Sequence, residues 1–139
     1  MHVDVAQNHL PPLVIGGPWR TNIYSVPPVG GGDGGAVATA EDVERFLRAV
    51  QRGGVWHLEP AGLLTPRARS WAEWQVGYGV DLRRDGVWGQ DGGDPGVLAI
   101  SRYRPSTDTT AVFLANVDED AVEDLETLTD NVVNAALDI

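Results

Sequence analysis

The sequence predicts an α+β fold, in which a helix is followed by a three-stranded antiparallel sheet and a C-terminal helix. An amphipathic helical period runs through residues 39–54. Strand-like stretches separated by hairpin turn signals fill residues 75–117, and a second helical period occupies residues 118–137. Strands grouped between two helices, without βαβ alternation, favour the α+β class.

Residues 39–54 carry the clearest local pattern, and it is helical. Thr39 is a favourable N-cap, and Asp42 three residues later makes a variant of the capping box. Apolar residues then recur with helical spacing, and Gly53 and Gly54 are suited to end the helix. The predicted apolar face consists of Val43, Phe46, Leu47 and Val50.

The region between the helices consists of strands joined by tight turns. Residues 75–83 alternate apolar with polar or small side chains, which predicts one half-buried strand. Asp85 and Gly86 form a hairpin turn signal, so an antiparallel partner should begin at Val87. Two further strands, VLAISRYRP and TAVFLANV, are joined by PSTDT. Because AVFLAN is apolar on both faces, we expect it to be covered on both sides. The alternating apolar positions of the first strand are Val76, Tyr78, Val80 and Leu82.

The stretch WGQDGGDPG, residues 88–96, contains four glycines, a proline and two aspartates. This composition predicts a flexible, acidic loop, for which a plain strand connection and the wall of a substrate cleft are both open interpretations. A calcium loop is disfavoured, because the D-x-[DN]-x-[DN]-G spacing and the closing glutamate are missing. A catalytic pair of carboxylates, Asp91 and Asp94, is a further hypothesis.

The last predicted helix begins after an acidic run and has its cap at Asp118 or Asp120. Its predicted apolar stripe consists of Val122, Leu125, Leu128, Val132 and Ala136. The length of 139 residues fits one domain over residues 1–139, divided into an irregular arm (1–36) and an α+β body (37–139). Glycines and prolines punctuate the arm, and we expect it to pack through its apolar residues, Ile15, Trp19, Ile23 and Tyr24.

Charge and composition exclude several classes of partner. The net charge of −10 argues against binding to nucleic acid or to an anionic membrane. No apolar run is long enough to span a bilayer, and the first residues lack a signal-peptide layout. The compartment is therefore unknown from the sequence, and would be cytoplasmic if the chain is complete.

Missing residue types restrict the chemistry further. All ten basic residues are arginine, so Schiff-base chemistry and lysine general bases are excluded. Without cysteine there is no thiolate nucleophile and no cysteine metal site. The histidines (His2, His9 and His57) are scattered, so neither a metal site nor a Ser–His–Asp triad is predicted, and no cofactor is expected.

The order of the motifs resembles a known family. The succession GDGGAVATAEDVERFLRAV, LLTPR, VGYGVDL, WGQDGGDPG, RYRP and FLANV with a closing helix is similar to the C-terminal half of serine β-lactamase-like hydrolases, over about residues 12–138. That family includes class C β-lactamases, D-Ala-D-Ala carboxypeptidases and esterases. The resemblance implies a partial β-lactamase-like (transpeptidase-like) fold and a small-molecule lactam, ester or peptide ligand. It also implies acyl transfer through a serine in an S-x-x-K motif.

The resemblance also assigns site residues. The family's third motif, K-T-G or H-x-G with x-x-P-G following, matches Gln90, Asp91 and Gly92, and the oxyanion-hole N–H after the motif glycine falls on Gly93. These four residues are the expected wall of a substrate cleft. No catalytic residue is assigned, because S-x-x-K cannot occur without lysine and no tyrosine begins a Y-x-N motif. Gln90, in the place of lysine or histidine, offers neither proton transfer nor attraction for a carboxylate.

Two functions follow as expectations. The first is a truncated β-lactamase-like hydrolase that is inactive alone, so whether the chain is an enzyme is left open. The alternative is a non-catalytic binding or self-association module, because the strand TAVFLANV would have an open, apolar edge. The N-terminal arm, a second copy in a homo-oligomer, or a missing N-terminal half could cover that edge.

Overall fold

The computed structural model describes residues 9–10, 17–18, 20–21, 30–32, 34–55, 60–69, 74–117 and 125–137. The helices are α1 (Ala40–Gln51), α2 (Pro60–Leu63) and α3 (Leu125–Leu137). The strands are β1 (His9–Leu10), β2 (Arg20–Thr21), β3 (Ala68–Arg69), β4 (Trp74–Val76), β5 (Asp81–Arg83), β6 (Trp88–Asp94), β7 (Val97–Arg104) and β8 (Thr109–Ala115). The α+β class is confirmed.

Strands β3 to β8 form one sheet in chain order, each antiparallel to the next. The prediction of three strands was therefore too low, since the described residues contribute six to this sheet. One cause is the stretch 75–83, which is not a single strand but the hairpin of β4 and β5. Gly79 has a φ of 73°, and a Cβ on Gly77 would lie 2.5 Å from the carbonyl oxygen of Leu63. Both positions require glycine, and they turn the chain so that Tyr78 is exposed.

A second cause is the glycine-rich stretch, which was predicted to be a loop. Its residues Trp88 to Asp94 instead form β6, paired along its whole length with β7 from Trp88↔Tyr103 to Asp94↔Val97. Only Pro95 and Gly96 make the turn, with a φ of 87° at Gly96. Glycine has a low strand propensity, but the many backbone hydrogen bonds to a strongly apolar neighbour outweigh it here.

Helix α1 begins and ends as the sequence predicts. The Thr39 hydroxyl accepts a hydrogen bond from the Asp42 N–H at 3.1 Å, and the Asp42 carboxylate accepts one from the Thr39 N–H at 3.1 Å. Leu47 and Val50 are buried, but Phe46 is 50% exposed, so its placement on the buried face was wrong. The apolar face of α1 that contacts the sheet is narrower than the face that the sequence pattern predicts.

Each face of the sheet has its own apolar cluster. Helix α1 covers one face with the cluster Leu47, Val50, Leu82, Trp88 and Tyr103, and α3 covers the other with the cluster Val87, Ile100, Ala111, Val133 and Leu137. Both helices contact β8, so the expected cover on both sides of this strand is confirmed. Leu114 on β8 nevertheless stays 41% exposed.

Helix α3 is confirmed over residues 125–137, while its expected caps and Val122 lie outside the described residues. The prediction that the apolar stripe is the buried face of α3 was wrong, because Leu128 and Val132 on this stripe are 60% and 55% exposed. Val133 and Leu137 make the contact with the sheet instead. The helix is thus rotated by about one residue, or 100°, from the orientation that its apolar stripe predicts.

In the N-terminal region, β1 and β2 form a small antiparallel pair that the sequence did not predict. The apolar residues expected to anchor the arm (Ile15, Trp19, Ile23 and Tyr24) lie outside the described residues. Within the part of the chain that the structure describes, no helix has the length and apolar character required to cross a membrane.

The turn between β5 and β6 depends on Asp85. Its carboxylate accepts hydrogen bonds from the Arg83 side chain at 2.9 and 2.5 Å and from the Val87 N–H at 3.3 Å. These hydrogen bonds, led by that from Arg83, lower the pKa of Asp85 from 3.8 to about 2. A carboxylate whose pKa is lower in the folded state stabilises the fold above the unfolded pKa, and this contribution disappears as the pH falls from about 4 to about 2.

We therefore expect Asp85→Asn to lower the free energy of unfolding at pH 7 by about 1 kcal/mol, a value reduced from the full shift because the side chain is 38% exposed. Urea unfolding of both proteins between pH 2 and pH 7 measures the difference, which should vanish at the acid end. Asp94→Asn, at an exposed position of β6, is the matched control and should change stability little. An equal loss at both positions would contradict the assignment.

Candidate substrate-cleft wall on strand β6

The four predicted wall residues lie consecutively on β6, so strand alternation divides them between the two faces of the sheet. Gln90 and Gly92 share the face of Trp88, which belongs to the α1 cluster. Asp91 and Gly93 lie on the opposite face, where Asp91 is paired across the strands with Ile100 of the α3 cluster. The four residues are neighbours on one strand, but they face two different environments on the two sides of the sheet.

On the α1 side, the surface of β6 is polar and open, and Asp94 lies at the end of this face. Gln90 is exposed, and its side-chain amide donates to the carbonyl oxygen of Asp91 at 3.0 Å. The hydroxyl of Ser101 on the neighbouring strand donates to the carbonyl oxygen of Gln90 at 2.9 Å. A Cβ added to Gly92 would meet no atom within 4 Å, so space is available above this residue.

One edge of β6 is also accessible. Strand β5 pairs with β6 only at Trp88 and Gly89, so no described strand flanks the edge of β6 from Gln90 onward. In an antiparallel hairpin closed by the pair Asp94↔Val97, alternate residues direct their N–H groups to the partner strand and the others direct them away. This pattern directs the N–H of Gly93 away from β7, toward the unflanked edge.

Gly89, just before the wall, is needed for strand packing. A Cβ at this position would lie 1.8 Å from the carbonyl oxygen of Ser101 on β7, which no side-chain adjustment can relieve. The glycines of the motif therefore differ in kind, since Gly89 permits a close backbone approach while Gly92 faces open space.

On the α3 side, Asp91 forms an ion pair with Arg102 of β7. Both terminal nitrogens of the guanidinium bind the two carboxylate oxygens of Asp91. Arg102 is only 5% exposed, and its guanidinium carbon lies 4.6 Å from the ring centroid of Trp74. The carboxylate of Asp91 is thus occupied by the guanidinium of Arg102. Asp91 and Asp94 lie on opposite faces of β6, so they do not form a pair of catalytic carboxylates there.

Asp81 on β5 is the third charged group near this ion pair. Burial raises the pKa of Asp81, the negative charge of Asp91 raises it further, and the charge of Arg102 opposes the increase. Sequence reasoning missed the ion pair of Arg102 with Asp91 and its contact with Trp74. The available signal was the position of Arg102 inside the strand sequence VLAISRYR, because a charge inside a buried strand requires a partner.

The hydroxyl groups near the wall show no activation. Tyr103 donates to the carboxylate of Asp108 at 2.6 Å, and burial followed by this hydrogen bond raises its pKa, which is unfavourable for a general base. Ser101 is buried and donates to a backbone carbonyl, while Ser25 and Ser70 lie outside the described residues. In the described ranges, no group of three or more His, Cys, Asp or Glu side chains could hold a metal ion.

Comparisons with known proteins agree with this architecture. Neither the protein-family models nor the curated proteins include a match to the chain. Among solved structures, the chain is similar to the penicillin binding protein from Bacillus halodurans, with 32% sequence identity and a TM-score of 0.75. The similarity covers 91% of this chain and 40% of that protein, so the chain spans less than half the length of its structural neighbour. The fold is therefore a partial penicillin-binding-protein-like, β-lactamase-like fold, as the sequence resemblance implies.

Proposed function

We propose that this chain is a β-lactamase-like serine hydrolase in truncated form, which does not catalyse acyl transfer alone. The observation that carries this proposal is its similarity to 40% of a penicillin binding protein, combined with the complete absence of lysine. A serine nucleophile of this kind needs a neighbouring base, whereas the hydroxyl of Ser101 donates to the backbone carbonyl oxygen of Gln90. In this proposal residues 1–139 form one domain, with an arm (1–36) and a body (37–139).

The wall formed by Gln90, Asp91, Gly92 and Gly93 would contribute binding, not proton transfer. The Gly93 N–H at the unflanked edge of β6 has the orientation of an oxyanion donor, which supports its assigned role. The neutral amide of Gln90 and the open space above Gly92 could accept an uncharged acyl group of a lactam, ester or peptide. The charge of Asp91 does not face this surface, because Arg102 neutralises it on the other side of the sheet.

The purified chain should not hydrolyse a chromogenic lactam or a p-nitrophenyl ester faster than buffer does, since nucleophile and base are both missing. Stopped-flow absorbance should show no burst, and intact-mass spectrometry after incubation with penicillin should show no adduct. A full-length penicillin-binding protein is the positive control. A stoichiometric penicilloyl adduct on any serine of this chain would contradict the proposal.

A second candidate function is a non-catalytic self-association module built on the same partial fold. It is favoured by β8, the terminal strand of the described sheet, which contains no charged residue from Thr109 to Ala115. Natural edge strands usually carry charges, prolines or bulges that prevent pairing with another chain. Sedimentation velocity over a wide concentration range tests this candidate, and a strict monomer would count against it.

A further inference from the structure

Two carboxylates and one guanidinium lie close together on the α3 side of the sheet. The register pairs Asp81 of β5 with Gly89 of β6, and Gly89 with Arg102 of β7, so Asp81 and Arg102 lie in one row across the three strands. Because Gly89 has no side chain, none separates them. Asp91 follows two residues after Gly89 and therefore shares this face. The three charged residues, Asp81, Asp91 and Arg102, are here called the charge cluster.

The charge cluster contains one carboxylate more than its guanidinium can neutralise. Both terminal nitrogens of Arg102 bind Asp91, and the Arg102 side chain is 6% exposed. Asp81 is half-buried, so its ionisation places a net negative charge where water can solvate it only in part. The pKa of Asp81 is accordingly raised above 3.8, first by burial and then by Asp91, although Arg102 acts in the opposite direction.

The neighbouring elements supply no further positive charge for Asp81 among the described residues. Arg83 on β5 and Arg104 on β7 face the same side of the sheet, but both guanidinium groups bind Asp85. Strands β4 and β8 contain no charged residue, and the side chains through which α3 packs on this face are apolar. Within the charge cluster, ionised Asp81 must therefore compete with Asp91 for Arg102.

The charge cluster lies at a short junction of the sheet. Strand β5 pairs with β6 at two positions only, one of which is Asp81↔Gly89, whereas β6 pairs with β7 along its whole length. The Arg83 N–H donates to the Val87 carbonyl oxygen at 2.8 Å, and antiparallel alternation makes Asp81 and Gly89 the next hydrogen-bonded pair. The N–H of Gly89 therefore reports whether the junction of β5 and β6 is closed.

We propose that Asp81 is a pH-sensitive switch for the junction of β5 and β6. Protonated Asp81 leaves Arg102 to Asp91 and keeps the junction closed, whereas ionised Asp81 favours an open junction, in which its carboxylate reaches water. Opening returns the pKa of Asp81 to its ordinary value of 3.8. The stabilisation of the closed junction is thus complete below this pH and is lost as the pH rises through the higher pKa of the closed form. The switch would operate whether or not the chain catalyses acyl transfer.

Hydrogen exchange of the Gly89 amide, followed by NMR from about pH 3 to about pH 8, tests the switch. Asp81→Asn keeps the size of the side chain but cannot ionise. Because the sequence next to Gly89 is unchanged, the ratio of the two exchange rates cancels the chemical pH dependence of exchange. Gly89 should exchange equally fast in both proteins at the acid end. At neutral pH it should exchange more than about twofold faster in the unmodified chain, beyond the effect of an ordinary exposed substitution.

Asp94→Asn is the matched control, because it removes the same charge from an exposed position of β6. It should leave the exchange of Gly89 unchanged at every pH. Equal exchange of Gly89 in the unmodified chain and in Asp81→Asn at every pH would overturn the switch. An equal effect of Asp94→Asn would overturn it too, since the cause would then be general repulsion within a chain of net charge −10.

An NMR titration of the Asp81 carboxyl carbon tests whether the charge cluster is the cause. Its midpoint should lie above 3.8 in the unmodified chain, fall in Asp91→Asn and rise in Arg102→Met. These shifts have opposite signs, so a loss of structure common to both variants cannot produce them. A midpoint at or below 3.8, or one that neither substitution moves, would overturn the proposal.

Discussion

Replacing Gly89 with alanine should lower the free energy of unfolding by at least about 3 kcal/mol. The added methyl group would lie 1.8 Å from the Ser101 carbonyl oxygen, so β6 and β7 would have to separate at Gly89, directly beside the pair of Trp88 and Tyr103. Both of these aromatic residues are buried in the α1 cluster, and their rings are 5.6 Å apart. The backbone shift would thus also disturb the packing of α1.

Gly92→Ala is the matched control, because it makes the same chemical change three residues later on the same strand. Its Cβ would face open space, so stability should change by less than about 0.5 kcal/mol. Guanidinium unfolding followed by tryptophan fluorescence measures both variants. Equal effects at the two positions would mean that the close approach of β6 to β7 at Gly89 is not present in solution.

Replacing Asp91 with alanine should destabilise the protein by about 3 kcal/mol, because it leaves the guanidinium of Arg102 buried without its counter-charge. The Arg102 side chain is 6% exposed while that of Asp91 is 37% exposed, which makes the two positions unequal. Arg102→Met should be less harmful, since the remaining carboxylate can be hydrated from the open side. The methionine also retains part of the packing against Trp74.

The double variant Asp91→Ala, Arg102→Met isolates the ion pair from the effects of each single change. It should recover much of the loss seen with Asp91→Ala, because no buried guanidinium is left without the carboxylate of Asp91. Urea unfolding at pH 7 gives the four values of this cycle. Strictly additive losses would show that the two side chains act independently, in conflict with the observed geometry.

The elements that could be predicted from the sequence are those encoded by local signals. Helix α1 has its cap, its apolar spacing and its terminal glycine within fifteen residues, from Thr39 to Gly53. Strands β7 and β8 are long apolar runs separated by a turn, which is sufficient to identify a hairpin. The similarity to penicillin-binding proteins followed from the order of such segments.

The errors arose where a contact distant in sequence decides the conformation. Alternation of apolar residues continues through the β4–β5 hairpin, so the period alone could not reveal the turn at Gly77 and Gly79. The glycines of β6 favour a loop by local propensity, and only the pairing with β7 makes this stretch a strand. Once β6 is known to be a strand, alternation places Gln90 and Asp91 on opposite faces. The ion pair with Arg102 also depends on strand register, which the sequence does not specify locally.

The separation of the apolar residues into two clusters has a consequence for how the molecule opens. The clusters share no residue and lie on opposite faces of the sheet, so loosening one helix does not require loosening the other. Helix α3, held on the sheet through Val133 and Leu137, can detach while Leu47 and Val50 remain packed. Partial unfolding on one face of the sheet would then leave the helix and the cluster on the other face packed.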